Sequence, residues 1–265
     1  MLKKAFIVIL VLVFTMSGVF AATTTKKKKK PYISKTIEVT TQDSHIMKAQ
    51  LMYPRTPKGV KVKNPYPVII FLHSLGYSSS QWKELPYTFV KQGYAVMLVD
   101  LRGHGISNKD AKFRVKSWTY FTPKIYKKYP SDVIALINTA KQTNKKVSFS
   151  NYAVIGGDIG ANTGVLVGQT LPVKPKAMVL LTPYQQFKGL NIFDYQLGTT
   201  PILVMCCKSD KYAVCQEVSL KTFSRGKFVI NNTNYPINGM MILQHDAACK
   251  KKTIEFINQN MPAKK

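Results

Sequence analysis

Five apolar runs limit what this chain can become: "PVIIFLH" at 67–73, "YAVMLVD" at 94–100, "YAVIGG" at 152–157, "KAMVLLTP" at 176–183 and "PILVMCC" at 201–207. Each is continuous rather than alternating, as expected of a strand buried on both faces. Segments at about 80–92, 131–142 and 159–170 have helical length and lie between or beside these runs. Strand and helix repeated in this way specify a mostly parallel, doubly wound α/β sheet covered on both faces. Upstream, "KTIEVTTQ" and "HIMKAQLMY" flank a short polar turn at Asp43 and Ser44 and predict an antiparallel N-terminal hairpin. A short helix near 213–222, a strand "KFVINN" at 227–232 and a final helix over about 242–259 complete the pattern. The chain shows no internal repeat, and its 265 residues suffice for one large domain, placed at 35–265.

The first residues, "MLKKAFIVILVLVFTMSGVFAATTT", join a charged start, an apolar run and small residues around Ala21. This is the pattern of a secretory signal peptide over 1–21, and it predicts a secreted or periplasmic protein. The run is short for a membrane span, and no cysteine follows it to carry a lipid. Residues 22–34 contain "TTTKKKKKP" and read as a Lys-rich disordered tail. The whole chain has 39 Lys and Arg against 12 Asp and Glu, a net charge of +27. The excess is mostly lysine, a hydrated point charge, whereas base recognition favours arginine forks. With no zinc-finger or RNA-binding signature either, specific nucleic-acid recognition is not expected. A Lys-rich face attracted to an anionic cell-envelope surface is.

Four cysteines are present: Cys206, Cys207, Cys215 and Cys249. Export permits a disulfide, in which Cys206 or Cys207 could meet Cys215 or Cys249. No pair has metal-type spacing, and buried small hydrophobes are an equal reading for most of them.

Ligand sites in open α/β sheets lie at the carboxyl ends of the strands. Three turns there carry chemistry. "FLHSLGYSSSQW" leaves a strand for a helix and offers backbone N–H groups around Leu75. "VDLRGHGISN" is a glycine-punctuated turn at 99–108. "GGDIG" at 156–160 is a strand–turn–helix with Gly156 and Gly160 flanking Asp158.

Together these residues resemble the α/β-hydrolase superfamily, in its serine-esterase, dienelactone-hydrolase and S33-peptidase-like branches, over about 65–260. Gly156-x-Asp158-x-Gly160 fits the nucleophile elbow G-x-S-x-G except at its centre. "LHSLG" is similar to the oxyanion loop, with Ser74 in place of a glycine, and "DLRGHGIS" to the D-x-R-G-x-G-x-S turn. The resemblance implies backbone oxyanion donors at Leu75 and Ile159, a triad acid at Asp210 and a triad base at Asn238, where "NYPINGMM" aligns with the usual His-Gly. Two triad positions thus depart from the pattern: Asp158 replaces the nucleophilic serine and Asn238 replaces the histidine. Seventeen residues between Pro183 and Pro201 leave no room for a large cap domain.

Relatives with an elbow aspartate, the haloalkane dehalogenases and epoxide hydrolases, hydrolyse their ester intermediate with water activated by histidine. Asn238 cannot take that proton. His73, at the end of a central strand, is the best substitute base among four histidines. The leading expectation is a catalytically degenerate member that binds a small ester or acyl-type ligand, or a surface partner. The alternative is an active hydrolase using Asp158 as nucleophile, Asp210 as acid and a substitute base. No cofactor is expected. Asp158, Asp210 and Asn238 could converge as oxygen ligands for a hard cation, a lesser reading. Asp158 also suits a helix start, where a carboxylate accepts backbone N–H bonds. Trp82, Trp118, Tyr120 and Phe121 are candidates to line a pocket.

Overall fold

The structure is a computed structural model that describes residues 30–57, 64–192, 198–207, 228–233 (backbone only) and 237–263. The expected signal peptide, most of the expected Lys-rich tail, Asp210, Cys215, Tyr235 and the expected helix at 213–222 lie outside the described residues. The strands are β1 (Tyr32–Thr40), β2 (His45–Pro54), β3 (Tyr66–Leu72), β4 (Ala95–Asp100), β5 (Lys109–Asp110), β6 (Val147–Gly157), β7 (Ala177–Leu181), β8 (Gln186–Phe187), β9 (Leu190–Asn191), β10 (Ile202–Cys207) and β11 (Phe228–Thr233). Among the described residues the main sheet runs β1-β2-β4-β3-β6-β7-β10-β11, with the short β5 paired to β2. The β1–β2 and β2–β4 pairs are antiparallel, and every pair from β4 to β11 is parallel. This is the α/β-hydrolase fold read from the sequence, N-terminal hairpin included. β8 and β9 form only a two-residue antiparallel hairpin in the stretch after Leu181.

Burial explains the continuous apolar runs. In β3, Val68, Ile70 and Leu72 join one apolar layer with Leu136 and Val165, from helices α3 (Tyr129–Thr143) and α4 (Ile159–Thr170). The alternate residues Ile69 and Phe71 join the opposite layer with Trp82, Phe89 of α1 (Leu85–Lys91) and Ile257 of the terminal helix Ala247–Asn260. Removing such side chains from water on both faces is the main stabilising term.

Three boundaries differ from the sequence reading. β1 begins at Tyr32, inside the expected tail, because Arg55 N–H donates to Pro31 O at 2.9 Å and Tyr32 packs on Tyr87. β6 begins at Val147 rather than Tyr152, since Val147 and Ser148 pair with Tyr66 and Pro67 before the register shifts. The final helix is split: Ile242–His245 ends at Asp246, whose side chain then caps the terminal helix by accepting from Cys249 N–H at 2.9 Å. No helix among the described residues is long and apolar enough to cross a membrane. Cys206 is disulfide-bonded, while Cys207 and Cys249 carry buried thiols.

Candidate active site

The elbow forms because β6 must turn abruptly into α4. Asp158 takes φ 35° and ψ −105°, a left-handed backbone that non-glycine residues adopt rarely and at a cost. Its N–H donates to Leu181 O at 2.8 Å, which fastens the turn to β7. A Cβ on Gly156 would lie 2.6 Å from Gly160 O, and one on Gly160 would lie 2.6 Å from His73 O. Both glycines are therefore required for the helix to start against β6 and β3.

The Asp158 carboxylate turns inward. Its Oδ1 accepts the Ile159 N–H and, at 2.9 Å, the Leu75 N–H. These are the two amides that the family resemblance implies for an oxyanion hole. They come from separate elements, the loop after β3 and the start of α4, and they converge on one oxygen. Two backbone N–H groups aimed at a single point beside a helix start make an anion site. Here the chain's own carboxylate fills it.

The other carboxylate oxygen faces the turn after Asn238: a Cβ on Gly239 would sit 3.1 Å from Oδ2. Gly239, at φ 53°, donates its N–H to Thr182 Oγ1 at 3.0 Å. Met240 N–H donates to Ser74 Oγ at 3.0 Å. Asn238 precedes this turn, and its carbonyl accepts Met241 N–H at 3.2 Å. The elbow, the oxyanion loop and the Asn238 turn are thus brought together. Asp210 lies outside the described residues, and with it the three-oxygen cation set. Among the described residues no cluster of three or more His, Cys, Asp or Glu could hold a metal.

His73 is fully buried and bonded at both ring nitrogens. Nε2 accepts Leu101 N–H at 2.9 Å, which leaves the proton on Nδ1 to donate to Ser74 O at 2.8 Å. Burial pushes its pKa down. His104 is arranged alike: Nε2 accepts Gly76 N–H at 3.2 Å and Nδ1 donates to Arg102 O at 3.0 Å. Burial, with His73 beside it, pushes the His104 pKa down to about 3. Both rings are neutral braces for the oxyanion loop. Asp100 ties the end of that loop to its own turn by accepting Ser79 N–H at 2.6 Å and Ile106 N–H at 3.0 Å.

Trp118 stacks flat on His104, with centroids 5.4 Å apart and planes 7° apart. It lines a cavity of about 500 Å³ with Gly76, Tyr77, Ser78 and Asn108, and no charged side chain contributes to the lining. Of the other candidate aromatics, Trp82 is core against Phe71, Phe121 packs on Tyr126, and Tyr120 is 86 % exposed. Sequence reasoning missed Thr182 and the bonding role of Ser74. Both hold the Asn238 turn through contacts that no local spacing announces.

The chain matches the family model described as serine aminopeptidase, S33, over residues 63–206. It is 25% identical over 155 residues to a probable lipase of Schizosaccharomyces pombe, covering 55% of this chain and 33% of that protein. It therefore spans about a third of that relative's length. An esterase of Pyrococcus furiosus is similar in structure, with a TM-score of 0.63 at 18% identity over 87% of this chain and 92% of that one. So is an acylaminoacyl peptidase of Pyrococcus horikoshii, with a TM-score of 0.64 at 13% identity over 89% of this chain and 43% of that one.

Proposed function

The chain belongs to the serine aminopeptidase (S33) family of α/β hydrolases, and from that premise we propose that it is an exported member that binds a small ester or acyl-type ligand without turning it over. One observation carries the reading: Asp158 Oδ1 accepts both the Leu75 and the Ile159 amides. Acyl transfer needs those donors unoccupied until a substrate oxygen becomes negative. A fixed carboxylate removes the donors and repels the incoming charge.

The covalent route through Asp158 is opposed on separate grounds. Its ester intermediate would need a base, and Asn238 has no basic nitrogen. His73 has both ring nitrogens bonded to backbone groups. The uncharged cavity beside Trp118 supports a small neutral ligand, and the esterase and lipase likeness supports its ester or acyl class. The leader pattern and the disulfide at Cys206 support export, and the net charge of +27 supports an anionic envelope surface as a partner.

The test is an esterase assay of the purified mature chain on p-nitrophenyl acetate and butyrate. Wild type is expected to match Asp158→Ala at background, while Asp158→Ser with Asn238→His gains turnover. Wild-type turnover well above Asp158→Ala refutes the reading and favours the active-hydrolase alternative.

A further inference from the structure

Five large apolar side chains are exposed among the described residues, and four of them fall between 106 and 120: Ile106 (45 %), Phe113 (74 %), Val115 (67 %) and Tyr120 (86 %). Cations interleave with them at Lys109, Lys112, Arg114 and Lys116. The one acid in this stretch, Asp110, is turned inward. It accepts Lys112 N–H at 2.9 Å, Arg114 N–H at 3.0 Å and Arg114 Nε–H at 2.8 Å. A hairpin results, closed by Lys116 N–H to Asn108 O at 2.8 Å and Phe113 N–H to Asp110 O at 2.8 Å. Its base is tied to the sheet by the Asp110–His45 and Lys109–Ile46 pairs. Phe113 is at the apex with φ 59°, an outlying backbone for an aromatic residue. The protein thus holds a bulky ring out in water, in a costly conformation, on a braced turn.

We infer that this hairpin docks the protein on an anionic phospholipid surface, with Phe113 and Val115 entering the interfacial layer and Lys109, Lys112 and Lys116 staying at headgroup level. Apolar side chains at the tip and cations around them match the layering of a bilayer interface. A soluble polyanion would reward the lysines but not Phe113. A protein groove would reward Phe113 without requiring a cationic fringe. Asn108 and Val115 also line the cavity beside Trp118, so the docked tip would set that cavity next to the lipid. The inference rests on the proposed export and anionic surface partner and is independent of the loss of hydrolysis.

Co-sedimentation of the mature chain with phosphatidylglycerol–phosphatidylcholine vesicles tests it, with pure phosphatidylcholine vesicles as control. Binding is expected on the anionic vesicles, about fivefold weaker for each of the three lysines replaced by alanine. Phe113→Ser with Val115→Ser should bind about tenfold more weakly or worse, with an unchanged thermal midpoint because both side chains are exposed. Phe113→Trp should shift its emission to the blue on anionic vesicles. Because Lys26–Lys30 also attract anions, the series is repeated with these five replaced by serine. Equal binding by wild type and the Phe113→Ser, Val115→Ser chain, or no blue shift, overturns the insertion. So does full competition by heparin with no dependence on Phe113, which marks a soluble polyanion. No wild-type binding at low salt overturns the anionic-surface partner as well.

Discussion

Truncating Asp158 should destabilise this protein, and the order of three substitutions follows from the elbow geometry. The carboxylate makes two bonds: it caps α4 through Ile159 N–H, and it holds the oxyanion loop through Leu75 N–H at 2.9 Å. Loss of an N-cap costs about 1 kcal/mol. Loss of a charge-assisted bond costs about 1.5–3 kcal/mol. Asp158→Ala should therefore lose about 3 kcal/mol. Asp158→Asn keeps the acceptor oxygen without its charge and should lose about 1 kcal/mol. Asp158→Gly loses the same bonds as alanine, yet it relieves φ 35°, a strain of order 1–3 kcal/mol in any residue with a Cβ. Glycine should thus lose less than alanine, about 0–2 kcal/mol. For a domain of this size a loss of about 3 kcal/mol lowers Tm by about 6–12 °C. Urea unfolding followed by far-UV circular dichroism gives the ordering directly, provided that the slope with denaturant is unchanged. Alanine as stable as wild type, or more so, would refute the reasoning. That result is the pattern of a carboxylate kept for turnover at the expense of stability.

Two further outcomes follow from buried charges elsewhere. Arg102 grips Asp132 by two bonds of 2.7 Å, both side chains being almost wholly buried, and also bonds Asp43 at 2.8 and 3.0 Å; Arg102→Met should cost about 3–5 kcal/mol, and adding Asp132→Leu should recover only the part due to Asp132 in the same urea assay. His104 is held neutral with its pKa near 3, below the unfolded value of about 6.5, so its contribution is complete above pH 6.5 and is lost as pH falls towards 3. His104→Gln should flatten the decline in Tm between pH 6.5 and 4, and an unchanged slope would refute the assignment.

The fold was legible because its strands are buried on both faces, so their apolar runs stand out without alternation. The elbow was legible because glycines are forced wherever α4 touches β3 and β6. Hydrogen bonds across the fold left no such mark. Nothing near Ser74 announces that its hydroxyl takes Met240 N–H, 166 residues away, nor that Thr182 holds Gly239. The Asp158 carboxylate was legible by half. A helix start predicts that the carboxylate accepts an amide of the first turn, whereas the Leu75 bond depends on how β3 delivers its following loop. The split of the final helix at Asp246 was missed because the apolar periodicity carries on across it. The braced Phe113 turn was missed because an aromatic residue with positive φ has no propensity signal.

On the proposed reading, Asp158 and Asn238 are coupled by the logic of differential binding. Catalysis requires that the amides at Leu75 and Ile159 bind the transition state better than anything in the ground state. A serine at 158 leaves them to a transient oxyanion. An aspartate supplies a permanent one, tethered at the turn itself, so the same two donors now stabilise the resting fold. On that reading a histidine at 238 would have no proton to move, and an asparagine there would cost nothing in turnover. The converse also holds. Asp158→Ser alone should empty the anion site yet leave the hydroxyl without a base, and Asn238→His alone should add a base facing a filled site. Neither single change should raise ester turnover above background, and only the pair should. A single change that matched the pair would show that the two positions act separately, and that the carboxylate in the amide pocket is not what holds the site silent.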